Sequence, residues 1–398
     1  MPKDWSVEPL GRWFRERKTT VSDADFAPLS VTMQGIVPQL DNVAKTDNNA
    51  NRKLVLAGDF AINSRSDRKG SAGVSGLDGS VSVITTVLQP CGLNARFSHH
   101  LLRSRPFQEE FYRWGHGIVD DLWSTKWSDM KSIKIPVPPE PEQRAIADYL
   151  DRETAQIDAF IAKNEELITL LTERRSAEIE LAVAPRELPA TWDSVQIRRL
   201  GPKSQSGVSV NGFSVPAEGD EIGVLKTGAV SKGFFDPAEN KRVVPEDLGR
   251  VAAAVRGGSL IVNRANTPEL VGSAALVAEN HPTLYLSDKL WQVTFESANA
   301  AYMHYWTKTD AYRSQLRGMS VGASLSMQNL SYGDFLSVRV SVPPMREQAE
   351  LVARLDQALG EINRAIDAAR RGSNLAGERR AALIAAAVTG KINVGVKL

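Results

Sequence analysis

The most regular alternation of apolar and polar positions lies in two stretches, residues 141–183 and 346–390. In the first, apolar side chains recur in alternating steps of three and four, the period of a helix that packs along one seam. After Pro141 this stretch has no glycine or proline, so it predicts a helix of roughly 60 Å. Pro185 and Pro189 follow, and proline cannot continue a helix.

The second stretch shows the same seam with more alanine, which lets a partner helix approach closely. Gly372 and Gly377 weaken its middle, so we expect a kink within residues 370–380. A helix of this length cannot bury its seam on a compact domain of about 140 residues. Two helices of equal length can bury their seams on each other, and the pattern therefore predicts an antiparallel coiled coil.

Each stretch is introduced by the same phrase, Pro-Pro-x-x-Glu-Gln followed by Leu-Asp, at an interval of 205 residues. Proline ends a strand, and a glutamate in the first helical turn faces the positive end of the helix dipole. The phrase is therefore interpreted first as a strand-to-helix junction. The alternative is a protein-binding role for the residues that the two copies share, Glu142, Gln143, Glu347 and Gln348.

The segments before the helices, residues 1–140 and 184–345, mix short β-like runs with turns. Each also holds one amphipathic segment, at 95–114 and 300–317, which predicts a helix. The expected fold class is α+β, with two globular domains related by a pseudo-twofold axis and joined by two long antiparallel helices. The predicted domains are 1–140, 141–183, 184–345 and 346–390.

Composition narrows the class of protein. A single cysteine, Cys91, excludes a disulfide framework and favours a reducing, cytoplasmic environment. No apolar run approaches 18 residues, so no membrane span is expected. The net charge is +1, yet residues 140–182 carry eleven acidic and five basic side chains. The globular segments are correspondingly basic, which permits binding of a polyanion without requiring it.

Loops between the β-like runs are rich in arginine, lysine and asparagine. Arginine and asparagine can read guanine and adenine edges bidentately, and lysine suits phosphates. Ordinary polar surface loops have the same composition, so both interpretations stay open. The candidates for DNA contact are Arg52, Lys53, Arg65, Arg68, Lys69, Lys226, Arg242, Asn263, Arg264 and Asn266.

Motifs for catalysis are missing. The sequence has no phosphate loop, no G-x-G-x-x-G, no H-E-x-x-H, no C-x-x-C and no methyltransferase motif. His99 and His304 coincide in the repeat, but each lies beside aromatic residues in an amphipathic segment, which favours a packed residue over a catalytic base. The pattern indicates a binding protein with no metal site.

Two dissimilar globular segments, each followed by a duplicated helix that begins with "PVPPEPEQRAIADYLD" or "SVPPMREQAELVARLD", resemble the specificity subunit of Type I restriction-modification systems. The resemblance implies two target-recognition domains that each read half of a split, asymmetric DNA site. It implies helices that set the spacing and dock two methyltransferase subunits, which restriction (motor-nuclease) subunits then join. S-adenosylmethionine, ATP and Mg²⁺ would belong to those partners. The glycines of 370–380 depart from the family's uninterrupted helix.

Two other classes of protein stay open. One is a non-catalytic coiled-coil scaffold without DNA specificity, which would show no affinity for duplex DNA. The other is an enzyme with an unrecognised site in a globular segment, which would require turnover by the isolated chain.

Overall fold

The structure is a computed structural model that describes residues 1–39, 51–65, 70–117, 123–319, 321–324 and 327–394. The chain divides into two compact units. Unit 1 comprises Met1–Glu165 and Arg370–Leu398, and unit 2 comprises Glu166–Ala369. Each unit thus contains part of both long helical stretches. Both units mix helix and sheet, which agrees with the α+β class.

Unit 1 is built around a four-stranded antiparallel sheet, which we call its central sheet. In spatial order its strands are Phe14–Glu16, Thr85–Pro90, Phe60–Asn63 and Ala72–Val74. Smaller sheets pair Ser6–Pro9 with Lys134–Val137, Leu29–Thr32 with Gly35–Pro38, and Arg52–Val55 with Thr20–Val21 and Gly79–Val81. Helices are Ala95–Arg103, Arg105–Arg113 and Trp127–Met130, with a 3₁₀ turn at Leu10–Arg12.

Unit 2 repeats this plan with additions. Its central sheet has the order Pro202–Ser206, Leu290–Phe295, Leu260–Asn263 and Ala274–Leu276. Other sheets pair Asp193–Gln196 with Arg339–Val342, join Asn240–Arg242, Gly223–Leu225, His281–Tyr285 and Ala254–Val255, and join Ala265–Asn266, Met327–Asn329 and Val321–Ser324. Helices are Gly228–Ser231, Ala300–Trp306, Asp310–Arg317 and Tyr332–Ser337, with 3₁₀ turns at Ile197–Leu200 and Pro245–Arg250.

The long helices occupy Glu140–Val183 and Met345–Val388, 44 residues each, so the prediction of two long helices is confirmed. The second is helical without interruption through residues 370–380. At Gly372 a side chain would lie 3.5 Å from the amide of Asn164 and 3.6 Å from the ring of Phe160. Both are ordinary van der Waals distances, so the first helix lies against Gly372 without requiring a glycine there. The four-domain division stays a prediction.

Within unit 1 the two long helices run antiparallel. Arg380 Nε lies 2.8 Å from a carboxylate oxygen of Asp158, and Gly372 faces Asn164 further along, so one helix ascends as the other descends. Their ends enter the core of the unit. That shared core includes Ile146, Leu150, Ile384, Ala387 and Val388.

Within unit 2, the other parts of the same helices share a second core. Ile179 and Val183 of the first helix lie in one cluster with Leu355, Leu359 and Ile362 of the second. The guanidinium of Arg175 donates to the side chain of Asn363 at 3.4 Å. The predicted apolar seam is therefore buried only in part. Leu351, Leu355 and Ile362 of the second helix are buried, whereas Leu167 and Leu181 of the first are exposed.

The predicted amphipathic helices are each divided in two, which corrects the single helices expected at 95–114 and 300–317. Ser104 has extended backbone angles, and its hydroxyl accepts from Phe107 N, so it caps a new helix that has Pro106 in its first turn. Thr309 does the same in unit 2, where its hydroxyl accepts from Tyr312 N. A short polar side chain that can cap competes with continued helix, and the periodicity of the flanking residues conceals this.

The repeated phrase is a strand-to-helix junction in both units, as its first interpretation predicts. In unit 1 the strand ends at Val137, two prolines follow, and the helix begins at Glu140. Gln143 is 3% exposed. Its amide donates to Pro138 O at 2.9 Å, and its carbonyl accepts from Asn94 N at 2.9 Å. Asn94 in turn caps the helix that starts at residue 95.

Unit 2 makes the same junction with its own residues. Gln348 is 1% exposed. It donates to Pro343 O at 2.9 Å and accepts from Asn299 N at 2.7 Å, and Asn299 caps the helix that begins at residue 300. We call this arrangement the glutamine junction. One buried amide joins the strand end, the long helix and the short capped helix.

The aspartate of the Leu-Asp pair in the phrase makes a second set of contacts between the long helix and the short capped helix. Asp151 accepts from Nε2 of His100 at 2.6 Å and from the guanidinium of Arg96. In unit 2 the matching Asp356 accepts from the hydroxyl of Tyr305. Both copies thus fasten the short capped helix to the long helix through the same aspartate, with different donors.

We predict that the glutamine junction stabilises each unit. Gln143→Ala would leave the part-buried Asn94 N–H and the buried Pro138 carbonyl without the partner that Gln143 provides, at a cost of about 2–3 kcal/mol in the free energy of unfolding. Gln348→Ala should behave alike. Chemical unfolding measures the effect.

The controls are Gln156→Ala and Gln357→Ala, at exposed positions on the same two helices. If the buried and exposed substitutions lowered the free energy of unfolding equally, the junction would have no special role.

Candidate nucleic-acid interface

In unit 2, three of the candidate residues lie at or just after the end of the central strand Leu260–Asn263. Asn263 is fully buried, and its side-chain oxygen accepts from Ala265 N at 3.2 Å, which turns the chain at the strand end. Arg264 is partly exposed, and its guanidinium lies 5.5 Å from the ring centre of Trp291. Asn266 donates to Ser231 Oγ at 3.4 Å. Arg264 is therefore the member of this group best presented for an outside ligand.

Beside this strand end lies a recess of 290 Å³, which we call the lysine recess. The backbone N–H of Arg264 donates to Lys289 O at 2.9 Å, which makes these residues neighbours across the sheet. Lys289 lines the recess. The residues lining it are Ser209, Val210, Val224, Leu225, Lys226, Thr227, Lys241, Ser287, Asp288 and Lys289. Of these, the candidate list contained only Lys226.

Sequence reasoning missed Lys289 and Ser287 because they belong to a separate turn, whose composition resembles any surface turn. Lys241 is one of the basic residues of the second globular segment, on the strand Asn240–Arg242. What identifies Lys289 as a candidate is its position across the sheet from Arg264. That pairing requires the register of two strands nearly thirty residues apart in sequence.

Arg242 is engaged within unit 2. Its guanidinium donates to Glu221 at 2.9 Å and lies 4.7 Å from the ring centre of Phe213. A hydrogen bond from Glu218 N and that guanidinium hold the pKa of Glu221 below its ordinary value. Both glutamates line the open cavity beside Arg242, so this face is not basic.

In unit 1, two candidates face inward. Arg52 is 7% exposed, and its guanidinium donates to Ser80 Oγ at 2.9 Å and to Ser80 O at 3.1 Å. The ammonium of Lys53 donates to Thr85 O at 2.7 Å. Burial lowers the pKa of Lys53. These contacts give both side chains a structural role, because leaving them would expose buried acceptors.

Arg65 is exposed, and its backbone N–H donates to the side-chain oxygen of Asn63 at 3.0 Å, which turns the chain at the strand end. Arg68 and Lys69 lie outside the described residues, so their assignment stays a prediction.

The strand ends of the two units share a frame but carry different side chains. Asn63 and Asn263 end matching central strands, and each makes the same turn with its side-chain oxygen. The next residue is Ser64 in unit 1 and Arg264 in unit 2. Ser64 donates to Ile84 O at 2.6 Å, at the place where Arg264 meets Lys289. One frame thus presents a neutral pair in one unit and a basic pair in the other.

The four partner-binding candidates divide into two kinds. Gln143 and Gln348 are buried with both polar groups engaged in the glutamine junction. Glu142 and Glu347 are partly exposed. Glu347 also accepts from Trp192 Nε1 at 2.8 Å. The glutamates, and not the glutamines, are accessible to another protein.

Over the described residues, no group of three or more histidine, cysteine, aspartate or glutamate side chains is arranged to hold a metal ion. In the same part of the chain no helix is both long and apolar enough to cross a membrane.

Curated proteins with similar sequences include specificity subunits of Type I restriction enzymes. The chain is 26% identical over 175 residues to the Type I restriction enzyme EcoEI specificity subunit of Escherichia coli. The aligned region covers 43% of this chain and 30% of that protein. It is 27% identical over 235 residues to the EcoKI specificity subunit of Escherichia coli K12, covering 56% and 50%. The chain thus spans about half or less of the length of these relatives. No family model matches it.

Solved structures extend the likeness over the whole fold. A chain from a study of complex assembly and conformational transition in the type I R-M system superposes with a TM-score of 0.70, at 17% identity, covering 98% of this chain and 99% of that one. The HsdS subunit from Thermoanaerobacter tengcongensis superposes at 0.55, also at 17% identity, covering 98% of both.

This chain is a relative of Type I specificity subunits and has their fold.

In this specificity-subunit fold, the two histidines that match in the repeat are structural. Val74 N donates to Nδ1 of His99 at 3.3 Å, and the guanidinium of Arg103 lies 2.9 Å from Nε2. Burial and the charge of Arg103 lower the pKa of His99 to about 4. Burial and Lys308 lower the pKa of His304 to about 3. Both rings are therefore neutral near pH 7.

These pKa values predict acid sensitivity. The unfolded chain takes up a proton on each histidine near pH 6.5, while the folded chain does so only well below that, so stability falls as pH drops below 6.5. Between pH 7 and 5 each histidine should remove on the order of 2 kcal/mol. His99→Gln and His304→Gln should each reduce this loss in chemical unfolding at the two pH values.

His116, whose side chain is 77% exposed, supplies the control. His116→Gln should leave the pH dependence as it is, and an equal effect of all three substitutions would contradict the assignment to buried rings.

Proposed function

We propose that this chain is the non-catalytic DNA-recognition subunit of a Type I restriction-modification complex, with each globular unit reading one half of a bipartite, asymmetric site. The observation that carries the proposal is the pair of matched central-strand ends, neutral Ser64 and Ile84 in unit 1 against basic Arg264 and Lys289 in unit 2. A shared frame with different side chains at the same position is suited to reading two different sequences. The specificity subunits among its relatives support the same function.

The long helices would act as the spacer between the two recognition domains. Each forms 44 residues of unbroken helix, about 65 Å at 1.5 Å per residue. Half-sites read from one face of a duplex lie about 34–36 Å apart. In this proposal the two domains, as the internal repeat predicts, would both contact the same DNA.

The partners proposed are double-stranded DNA, two methyltransferase subunits and restriction subunits. S-adenosylmethionine, ATP and Mg²⁺ would bind to those subunits. Glu142 and Glu347 are the accessible candidates for contact with the methyltransferases. The buried Gln143 and Gln348 would act through the junction, by holding the long helix in place.

Among the DNA-binding candidates, the structure favours those that are accessible. Arg65, Lys226, Arg264 and Asn266 are at least partly exposed. Arg68 and Lys69 remain sequence predictions. The geometry does not favour direct contact by Arg52, Lys53, Arg242 or Asn263, because their polar groups are buried or paired within their own unit.

A coiled-coil scaffold without DNA specificity is not favoured. It would account for the helices but not for the matched central sheets with different side chains at their strand ends.

We expect the isolated chain to have neither methyltransferase nor nuclease activity. Reconstitution with the host's methyltransferase subunits, at two per chain, should give methylation at a bipartite motif. Methylation-sensitive sequencing of DNA treated with the reconstituted complex would report that motif directly.

The control is the same methyltransferase without this chain, which should leave the motif unmethylated. Activity of the pure chain, or methylation of the same motif in its absence, would contradict the proposal.

A residue-level expectation concerns Arg264. If its guanidinium holds a guanine edge, Arg264→Lys should retain the charge but lose the bidentate bond, costing about 1–3 kcal/mol at one base position. Binding of the reconstituted complex to a panel of single-base variants measures the preference at each position.

Arg198→Lys tests an exposed arginine of the same unit and should leave every base preference unchanged. If Arg264→Lys weakened all sites equally, Arg264 would contact the backbone and not a base.

A further inference from the structure

The lysine recess has a composition that suits one kind of ligand. Lys226 follows the strand Gly223–Leu225, Lys241 lies on the neighbouring strand, and Lys289 precedes the strand Leu290–Phe295. Three cations from three segments thus line one recess with a single carboxylate, that of Asp288. Since the segments are distant in sequence, only the fold brings these charges together.

The cations differ in how firmly they are held. The ammonium of Lys241 donates to Val210 O at 2.5 Å, which fixes it at the wall. Lys226 and Lys289 are exposed and, within the described residues, form no salt bridge. Two exposed ammonium groups without a salt bridge among the described residues therefore remain for a ligand beside one fixed group.

A second observation points to a missing acceptor. The hydroxyl of Ser287 is buried and has no hydrogen-bond partner among the described residues, and Ser287 lines the recess. A buried polar group without a partner costs about 1–3 kcal/mol. A ligand oxygen, or a water bound with it, would supply the missing partner.

The lining also argues against a nucleobase. It contains aliphatic side chains, hydroxyls and ammonium groups, and no aromatic ring on which a base would stack. Its volume of 290 Å³ is several times the roughly 30 Å³ occupied by one water, so an anion with some hydration fits. Ammonium groups bind phosphate oxygens without reading sequence.

We infer that the lysine recess binds one phosphate group of the DNA backbone, which places the neighbouring Arg264 at the base edges of the half-site read by unit 2. This inference rests on the proposed function. The backbone N–H of Arg264 bonded to Lys289 O joins the phosphate-binding residue to the base-reading residue at one strand end.

The test measures how binding of a random-sequence duplex depends on salt, with the chain reconstituted with its methyltransferase subunits. Each phosphate contact contributes about 0.9 to the slope of log K against log salt. Lys226→Gln and Lys289→Gln should each lower that slope by about one without changing base preference. Ser287→Ala should weaken binding without changing the slope.

The matched control is Lys203→Gln. Lys203 is also an exposed lysine of unit 2, paired with Glu296 at 2.9 Å and away from the recess lining. It should leave the slope as it is. An equal change in the slope for Lys203→Gln, or no change for Lys226→Gln and Lys289→Gln, would overturn the inference. Thermal melting of each variant confirms that unit 2 remains folded.

A second experiment distinguishes free phosphate from DNA phosphate as the ligand. It also distinguishes failure of this inference from failure of the proposed function. Inorganic phosphate is titrated into the full chain alone and followed by calorimetry. If the complex binds no duplex, the proposed function fails, and the inference that the phosphate belongs to DNA fails with it. If the recess variants abolish binding of inorganic phosphate but leave the duplex slope unchanged, the site takes free phosphate and the assignment to DNA is overturned.

Discussion

The buried amide at the start of each long helix is the interaction on which both units depend. A strand, two prolines and a long helix meet there, and backbone hydrogen bonds join only the second proline to the helix among those described. Gln143 and Gln348 add side-chain hydrogen bonds, each by donating to the carbonyl of the first proline and accepting from an asparagine N–H. Because that asparagine caps a short helix from earlier in the chain, one side chain joins three elements.

The aspartate eight residues further along reinforces this geometry in both copies. Asp151 accepts hydrogen bonds from His100 and from the charged guanidinium of Arg96. Asp356 accepts one from the hydroxyl of Tyr305. The acceptor is the same in both copies and the donors differ, so the two units hold the short helix at the long helix with different chemistry. The matching histidines, His99 and His304, take no part in these contacts, and burial keeps both neutral near neutral pH.

A rigid frame of this kind permits variation at its edge. The central strands end in the same asparagine turn in both units, and the turn uses the asparagine side chain, so the next residue is free to change. Ser64 bonds back to its own sheet, while Arg264 rests on an aromatic ring and presents its charge. The difference between the units lies at positions that burial does not constrain.

The sequence by itself determined the two long helices, the duplicated junction and the resemblance to specificity subunits, because these depend on periodicity and on a local phrase. It did not determine the break at Ser104, since a capping serine resembles any polar position of an amphipathic helix. Only the tertiary structure showed that Arg52 faces inward and that Lys289 joins Arg264 and Lys226, because burial and cross-strand pairing are set by segments distant in the chain. Loop composition indicates residue types that can bind a polyanion. The register of two strands determines which of these residues lie next to each other.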